Sequence, residues 1–194
     1  MAGTQTETEI KLALEDRKSL LSRLPALGFR LSAPRQFEAN TIYDLPTGIM
    51  RQEGRILRLR QTGEGAGSRW ILTYKGPATT GKHKSREELE TGVGDGSLLA
   101  QMLERLGYRA TFRYEKYRTE YTDGEGVLTV DETPIGEYME LEGGAEWIDR
   151  QAAALGYQES QYITRSYGGL YLDHCEKGHV TPGHMVFGQS PDAP

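Results

Sequence analysis

The chain has 194 residues, of which 37% are hydrophobic and 26% are charged, with a formal net charge of −5 and a single cysteine. This length fits one domain, and the composition argues against a disordered chain, a membrane-spanning helix and a disulfide framework. The acidic balance argues against a general nucleic-acid-binding surface, and the amino terminus lacks the basic and apolar regions of a signal peptide. We therefore expect a cytoplasmic protein whose partners include neither nucleic acid nor a membrane.

Alternation of polar and apolar residues with a period of two predicts eight strands along the chain. They cover residues 6–14, 37–43, 54–61, 69–75, 85–91, 110–121, 127–132 and 136–142. Helical spacing predicts helices at 15–27, 97–106 and 146–155, and each ends in a leucine, a glycine and an aromatic residue, which is a common helix end. Pro25 weakens or bends the first helix. Short strands joined by turn residues indicate a barrel or a sandwich.

The remaining segments are assigned no regular structure. Residues 82–84, Lys-His-Lys, are expected to form a solvated loop. Residues 175–194 are rich in Gly, Pro, His and Ser, and they are expected to form a loosely ordered tail beyond a single domain of residues 1–174. The four histidines are scattered without ligand spacing, which argues against a metal site of the His/Cys type.

Charged residues alternate along most of the predicted strands, which places them on one face of each strand. The first strand carries Glu7, Glu9 and Lys11 in this way. The same pattern holds for Arg58 and Arg60, for Arg86, Glu88 and Glu90, for Lys116 and Arg118, and for Glu140 and Glu142. For one strand alone, a solvent-exposed face is the ordinary explanation. Repeated pairs on several strands instead fit carboxylates that hold a divalent metal beside basic side chains that hold phosphate.

These segments resemble, in the same order, the signature motifs of the CYTH superfamily, also called the triphosphate tunnel metalloenzymes. That superfamily joins class IV adenylyl cyclases, thiamine triphosphatases and inorganic triphosphatases. The matching segments are residues 7–11 (ExExK), 41–44 (YFDT-like), 57–60 (LRxR), 73–76 (TxKG), 85–90 (RxExE), 115–118 (KxR), 136–142 (GxFxExE) and 166–170 (SYxxLL). The resemblance covers residues 6–172.

The resemblance implies an α+β fold that is mainly antiparallel β, a closed eight-stranded barrel with the charged face inward and helices on its flanks. It implies Mg²⁺ or Mn²⁺ bound by Glu7, Glu9, Asp131, Glu140 and Glu142. It implies a triphosphate bound by Lys11, Arg58, Arg60, Lys75, Arg86, Arg113, Lys116, Arg118 and Arg165. Of these, the catalytic residues are expected to be Lys11, Lys75, Arg58 and Arg60. Three roles stay open for Glu88 and Glu90: binding a second metal, orienting basic residues, or holding a water.

Three functions fit such residues. The first is metal-dependent hydrolysis of inorganic tripolyphosphate, thiamine triphosphate or a nucleoside triphosphate. The second is a class IV adenylyl cyclase that converts ATP to cyclic AMP and pyrophosphate, and the third is a non-catalytic module that binds nucleotides or polyphosphate. The intact carboxylates argue against the third, and a homodimer is compatible with the family.

Segments 136–142 and 166–167 resemble the cyclase-like branch most closely. Cyclases of that branch carry a His-Phe pair upstream of ExExK, whereas residues 2–6 of this chain are Ala-Gly-Thr-Gln-Thr. Cyclisation also requires that the ribose hydroxyl be deprotonated and aligned with the α-phosphate. Hydrolysis needs only a positioned water and a stabilised phosphoryl group. We therefore predict hydrolysis of a small-molecule triphosphate.

Overall fold

One antiparallel sheet of nine strands dominates this computed structural model, which describes residues 5–63 and 65–188. The strands are β1 Gln5–Ala13, β2 Arg30–Asp44, β3 Ile56–Thr62, β4 Arg69–Lys75, β5 Thr79–Thr80, β6 Lys84–Val93, β7 Arg109–Thr122, β8 Val127–Thr133 and β9 Gly136–Glu142. They follow the order β1-β9-β8-β7-β2-β3-β4-β6-β5, and β1 also pairs with β6. Eight strands therefore close a barrel, as predicted, and the two-residue β5 is an addition on β6.

Five helices flank the barrel within the described residues. They are α1 Arg17–Arg23, α2 Ile49–Gln52, α3 Gly96–Arg105, α4 Ala145–Ala154 and α5 Tyr167–Gly178. The three predicted helices correspond to α1, α3 and α4, and the glycines that follow them, Gly28, Gly107 and Gly156, have φ of 83°, 94° and 85°. Because a Cβ atom disfavours this left-handed conformation, glycine is the residue that ends these helices readily.

Pro25 limits the length of the first helix. It stands at the start of a 3₁₀ turn, Leu24–Leu27, that follows α1, so the α-helix is shorter than the predicted 15–27. Proline has no backbone N–H to donate and is best tolerated in the first turn of a helical segment. None of the helices in the described ranges is long and apolar enough to cross a lipid bilayer.

The carboxyl-terminal region is more ordered than the sequence predicts. α5 continues to Gly178, past the predicted domain boundary at residue 174. Beyond it, the N–H of Met185 donates to the carbonyl of Arg113, and the carbonyl of Met185 accepts from the N–H of Glu115. Met185 is 1% exposed. The prediction of a loosely ordered tail therefore does not hold for residues 175–188, while residues 189–194, like residues 1–4 upstream of ExExK, lie outside the described residues.

Strand alternation separates an apolar outer layer from a charged interior. On β1, Ile10 and Leu12 are fully buried in a core that also contains Leu20 of α1 and Ile148 of α4. The intervening residues of β1 face the interior of the barrel, which we call the lumen. The same division holds on β9, where the buried Met139 and Leu141 join this outer core and Glu140 and Glu142 face the lumen. Packing under the helices thus fixes which side chains enter the lumen.

Candidate functional site

Glu7 on β1 is held by cations from two other strands. Lys75 Nζ on β4 donates to both carboxylate oxygens of Glu7 at 2.7 Å, and Arg86 Nε on β6 donates to Glu7 Oε2 at 3.2 Å. Lys75 Nζ also lies 2.9 Å from Glu88 Oε2. β1 and β6 are direct neighbours, with Glu7 opposite Arg86. Closure of the barrel between these two strands therefore assembles this part of the site.

Glu9 and Lys11 continue the row on β1. Glu9 Oε1 lies 2.7 Å from Lys84 Nζ and 3.2 Å from Lys11 Nζ, and Lys11 Nζ lies 3.2 Å from Glu140 Oε1. Burial raises the pKa of Glu9, but Lys11 and Lys84 outweigh it and hold that pKa well below its usual range. Burial lowers the pKa of Lys11, but Glu140 and Glu9 outweigh it, and the net result is a raised pKa. Each group therefore stays charged because of its neighbours.

Asp131 on β8 is the centre of a second group of ion pairs. It is fully buried, and it accepts from Arg118 Nε at 2.7 Å and Arg118 Nη2 at 2.5 Å, and from Lys116 Nζ at 2.9 Å. The hydroxyl of Tyr167, the first residue of α5, donates to Asp131 Oδ2 at 2.6 Å. Arg118 also contacts Glu140, so Glu140 joins the two groups. Burial and the carboxylates of Asp131 and Glu140 raise the pKa of Tyr167 well above its ordinary value.

Arg58 and Arg60 on β3 line the opposite wall. Arg58 donates to the Thr73 hydroxyl at 3.2 Å and to the Tyr114 hydroxyl at 3.4 Å. Arg60 Nη2 lies 2.7 Å from Glu90, and its Nη1 lies 3.6 Å from Glu38. Both arginines therefore point into the lumen, where their nearest charged neighbours are carboxylates.

Glu38 on β2 is a lumen residue that sequence reasoning missed. It is 4% exposed, with Lys116 Nζ at 3.6 Å. Burial raises its pKa, but Lys116, Arg118 and Arg60 prevail and lower that pKa to about 2. Glu38 is the one charged residue of the predicted strand 37–43. No repeated pair therefore marked this strand as part of a charged face.

Lys84 was also missed, because the sequence places residues 82–84 in a solvated loop. The structure corrects this for Lys84, which begins β6, is 6% exposed and binds Glu9. Lys82 and His83 stay outside the lumen and contact Asp149 on α4 at 3.0 and 2.9 Å. The alternation that runs through Arg86, Glu88 and Glu90 extends back to Lys84, and that extension is the signal that identifies it.

Two residues that the resemblance implicates lie apart from the others. Arg113 on β7 has a side chain 46% exposed and pairs with Glu115, 2.8 Å away. It precedes Tyr114, so it faces away from the lumen on the alternating strand. Arg165 has a side chain 57% exposed and pairs with Asp173 at 3.0 Å. The structure therefore brings neither arginine together with the basic residues of the lumen.

The surroundings of Glu142 show whether a divalent cation fits among the lumen carboxylates. Burial raises its pKa to about 7, and repulsion from Glu7, Glu140 and Glu9 adds to the shift. Within the described part of the chain, no three His, Cys, Asp or Glu side chains converge as a preformed cation cage. The donor chemistry nevertheless fits a hard divalent cation, because its preferred ligands are carboxylate oxygens and mutual repulsion among these groups is relieved by positive charge.

The lumen opens at one end into a cavity of about 700 Å³. Glu38, Arg60 and Arg118 line its inner part, and Arg69 lies farther out on β4. Its other lining residues are Ala33, Pro34, Gln36, Thr62, Ser68, Trp70, Ile71, Gly92, Val93 and Glu120. A ligand that enters here thus meets both apolar residues and the charged side chains of the lumen.

Comparison with known proteins agrees with this geometry. The profile of the CYTH domain family matches residues 5–167. The adenylate cyclase CyaB of Aeromonas hydrophila is 28% identical to the chain over 182 residues, which make up 88% of this chain and 89% of that protein.

Solved structures share the barrel. A proposed adenylate cyclase from Vibrio parahaemolyticus has a TM-score of 0.73 at 22% identity, with 85% of this chain and 97% of that chain covered. The proposed adenylyl cyclase HpAC1 from Hippeastrum, described as having a dominant triphosphatase activity, has a TM-score of 0.64 at 18% identity, with 91% and 98% covered. At these identities the likeness shows the fold alone.

Proposed function

The chain belongs to the CYTH domain family, and from that premise we propose that it hydrolyses a small-molecule triphosphate bound in the lumen with a divalent cation. Members of this family are adenylyl cyclases or triphosphatases, and the family is generally dependent on a divalent metal. The observation that carries the proposal is the convergence of basic side chains from β1, β3, β4 and β7 on one lumen, beside the carboxylates of β1 and β9.

The basic residues supply the triphosphate site. Lys11, Lys75, Arg58, Arg60, Lys116 and Arg118 all face the lumen, and Arg86 joins them through Glu7. Guanidinium groups match phosphate oxygens as planar forks, and ammonium groups act as point charges. A bound triphosphate would contact lysine and arginine side chains that are paired with carboxylates in the free protein. Lys11, Lys75, Arg58 and Arg60 would then stabilise the charge on the transferred phosphoryl group.

The carboxylates supply the metal site. We assign this role to Glu7, Glu9, Asp131, Glu140 and Glu142, of which Glu142 has the least cationic compensation. A bound Mg²⁺ or Mn²⁺ would polarise phosphoryl oxygens and neutralise charge that develops on them. The chain itself contributes exclusion of bulk water, since Asp131 is fully buried and Glu9 and Glu140 are 5% and 6% exposed.

Glu88 and Glu90 are best explained as residues that orient the basic side chains of the lumen. Glu88 lies 2.9 Å from Lys75 and 3.9 Å from Arg58, while Glu90 lies 2.7 Å from Arg60. Each therefore contacts a proposed phosphate-binding side chain directly. These contacts favour the orienting role over binding a second metal or holding a water.

A second candidate is cyclisation of ATP to cyclic AMP and pyrophosphate. The cavity at the open end favours it, because the apolar residues Ala33, Pro34 and Ile71 line it and leave space for a nucleoside outside the phosphate site. The name of the Aeromonas relative points the same way, whereas the description of the Hippeastrum protein favours hydrolysis. Hydrolysis ranks first because it requires no placement of a ribose hydroxyl in line with the α-phosphate.

Product identity tests the proposal. The purified protein is incubated with tripolyphosphate, thiamine triphosphate or ATP, each with Mg²⁺, Mn²⁺ or a chelator. We expect metal-dependent release of orthophosphate from at least one of the three. Cyclic AMP as the dominant product from ATP, with tripolyphosphate left intact, would establish the cyclase instead. Binding without any turnover would support a non-catalytic module.

A further inference from the structure

Asn40 on β2 is a buried amide without a hydrogen-bond partner. Its side chain is fully buried, and both Nδ2 and Oδ1 lack a partner within the described residues. In register, Asn40 stands between Arg60 on β3 and Tyr114 on β7, so its side chain faces the lumen. A buried polar group left unsatisfied destabilises the folded protein. Proteins rarely retain such a group unless water, an ion or a ligand satisfies it.

The neighbours of Asn40 show which ligand would satisfy it. The Nε atoms of Arg58 and Arg60 are also buried and without partners, so this wall presents several N–H donors at once. Lys116 follows two residues after Tyr114 on β7 and lies 3.6 Å from Glu38. The wall therefore combines unused donors with cationic charge, which is the environment that recognises an anion with several oxygen acceptors.

A neutral amide has an advantage over a further cation at this position. A lysine there would add repulsion against Arg58 and Arg60 in the absence of ligand, whereas the asparagine amide donates without adding charge. Its cost in the free protein is the unsatisfied amide alone. The wall thus carries an uncharged donor beside two arginines whose charge is already balanced by Glu38, Glu88 and Glu90.

We propose that Asn40 is a substrate-binding residue whose Nδ2 donates a hydrogen bond to a non-bridging phosphate oxygen held by Arg58 and Arg60. The inference rests on the triphosphate class of substrate in the proposed function, and it is independent of which reaction follows. It adds β2 to the strands that contact the substrate.

A direct test uses the fact that Asn40 is the single asparagine of the chain. Labelling with ¹⁵N-asparagine gives one pair of side-chain amide proton resonances, which is assigned without ambiguity. Inorganic tripolyphosphate is titrated in the presence of a chelator, so that no turnover occurs. We expect this pair to shift in proportion to the fraction of protein bound. An unshifted pair at saturating tripolyphosphate overturns the inference.

Substitution gives a second test. Asn40→Leu keeps the approximate volume and removes the polar group, so we expect an equal or higher melting temperature without ligand. Tripolyphosphate should bind about 10–100-fold more weakly, because a hydrogen bond to a charged group contributes roughly 1.5–3 kcal/mol. The matched control is Gln151→Leu outside the lumen. It removes an existing hydrogen bond, which Gln151 Nε2 donates to Asp123 at 3.1 Å. The control should lower the melting temperature and leave the dissociation constant unchanged.

The outcomes separate this inference from the proposed reaction. If the unaltered protein binds tripolyphosphate but hydrolyses no triphosphate with Mg²⁺ or Mn²⁺, the proposed hydrolysis fails and the role of Asn40 stands on the shift and the weakened binding. If it hydrolyses tripolyphosphate while Asn40→Leu binds as tightly as before, the role of Asn40 fails alone. If it binds none of tripolyphosphate, thiamine triphosphate and ATP, with or without a divalent cation, both fail.

Discussion

Tyr167 and Asp131 are joined by a 2.6 Å hydrogen bond from the first turn of α5 to the centre of the lumen. Asp131 also holds Lys116 and Arg118. The bond therefore links the position of a flanking helix to two proposed phosphate-binding residues. A displacement of α5 would leave a fully buried carboxylate without one of its donors, which is costly in a low-dielectric site.

Tyr167→Phe should remove the hydrogen bond to Asp131 without creating a cavity, because the aromatic ring is kept. We expect the free energy of unfolding to fall by about 1 kcal/mol, the usual contribution of a single hydrogen bond, or somewhat more because the acceptor is charged. Amide hydrogen exchange in α5 should become faster. Tyr121→Phe is the control, since that hydroxyl makes no hydrogen bond within the described residues. Equal exchange rates in both variants would show that the bond does not anchor the helix.

Glu142→Gln should stabilise the protein at neutral and alkaline pH. The folded-state pKa of Glu142 is raised from 4.5 to about 7, so the folded state binds this proton more tightly than the unfolded state. Stability therefore falls as pH rises from 4.5 through 7. Without metal, the variant should gain on the order of 2 kcal/mol in unfolding free energy at pH 8, and little at pH 4. Urea unfolding at both pH values measures the difference.

Glu140→Gln is the contrast to Glu142→Gln. Glu140 contacts Lys11 and Arg118, and loss of its charge leaves two buried cations under-compensated. We expect this variant to lose about 3 kcal/mol or more at pH 8. A gain in both variants, or a loss in both, would show that Glu142 does not differ from its neighbour in charge compensation.

Arg58→Lys should weaken catalysis although it keeps the charge. Lysine lacks the planar fork and cannot reproduce the contacts with Thr73 and Tyr114. We expect kcat/KM for the preferred triphosphate to fall about 10-fold or more, equivalent to roughly 1.4 kcal/mol. Arg113→Lys is the matched control, because Arg113 pairs with Glu115 outside the lumen, and it should stay within about twofold of the parent enzyme. Similar losses in both variants would place Arg113 in the substrate site.

Met185→Ala tests whether the carboxyl-terminal segment is part of the fold. Met185 packs in a cluster with Tyr114 and Tyr167, and it is almost wholly buried. Removing a buried methionine side chain typically costs 2–5 kcal/mol, so we expect a loss of about 2 kcal/mol or more in chemical unfolding. Phe187→Ala, at a position 37% exposed, should cost less. A neutral Met185→Ala would support the loosely ordered tail that the sequence predicts.

The barrel could be predicted because its signals are local. Alternation within each strand marked the lumen face of β1, β3, β6, β7 and β9, and the glycines after α3 and α4 ended those helices where expected. The order of the family motifs then supplied the closure of the barrel, which alternation alone leaves open between barrel and sandwich. Local patterns suffice here because packing under the helices and the period of the strand choose the same face.

The features of the site and fold that could not be predicted depend on contacts between distant residues or on weak local signals. Glu7 and Lys75 are 68 positions apart, and no spacing rule predicts their bond. Asn40 is uncharged, so a search for charged faces passes over it. α5 contains Gly168 and Gly169 in its first turn, and glycine disfavours helices. Its stability comes from tertiary contacts such as the one to Asp131.

The closure of the barrel by β1 has a consequence for biosynthesis. β1 pairs with residues 84–88 of β6 and with residues 138–142 of β9, so the earliest strand to be translated is completed by one of the latest. At about 5–20 residues per second, it waits on the order of ten seconds for its second neighbour. During that interval it exposes unpaired backbone groups that can template aggregation. The charged residues Glu7, Glu9 and Lys11, which face the lumen once the barrel closes, also keep this unpaired strand hydrated on the ribosome.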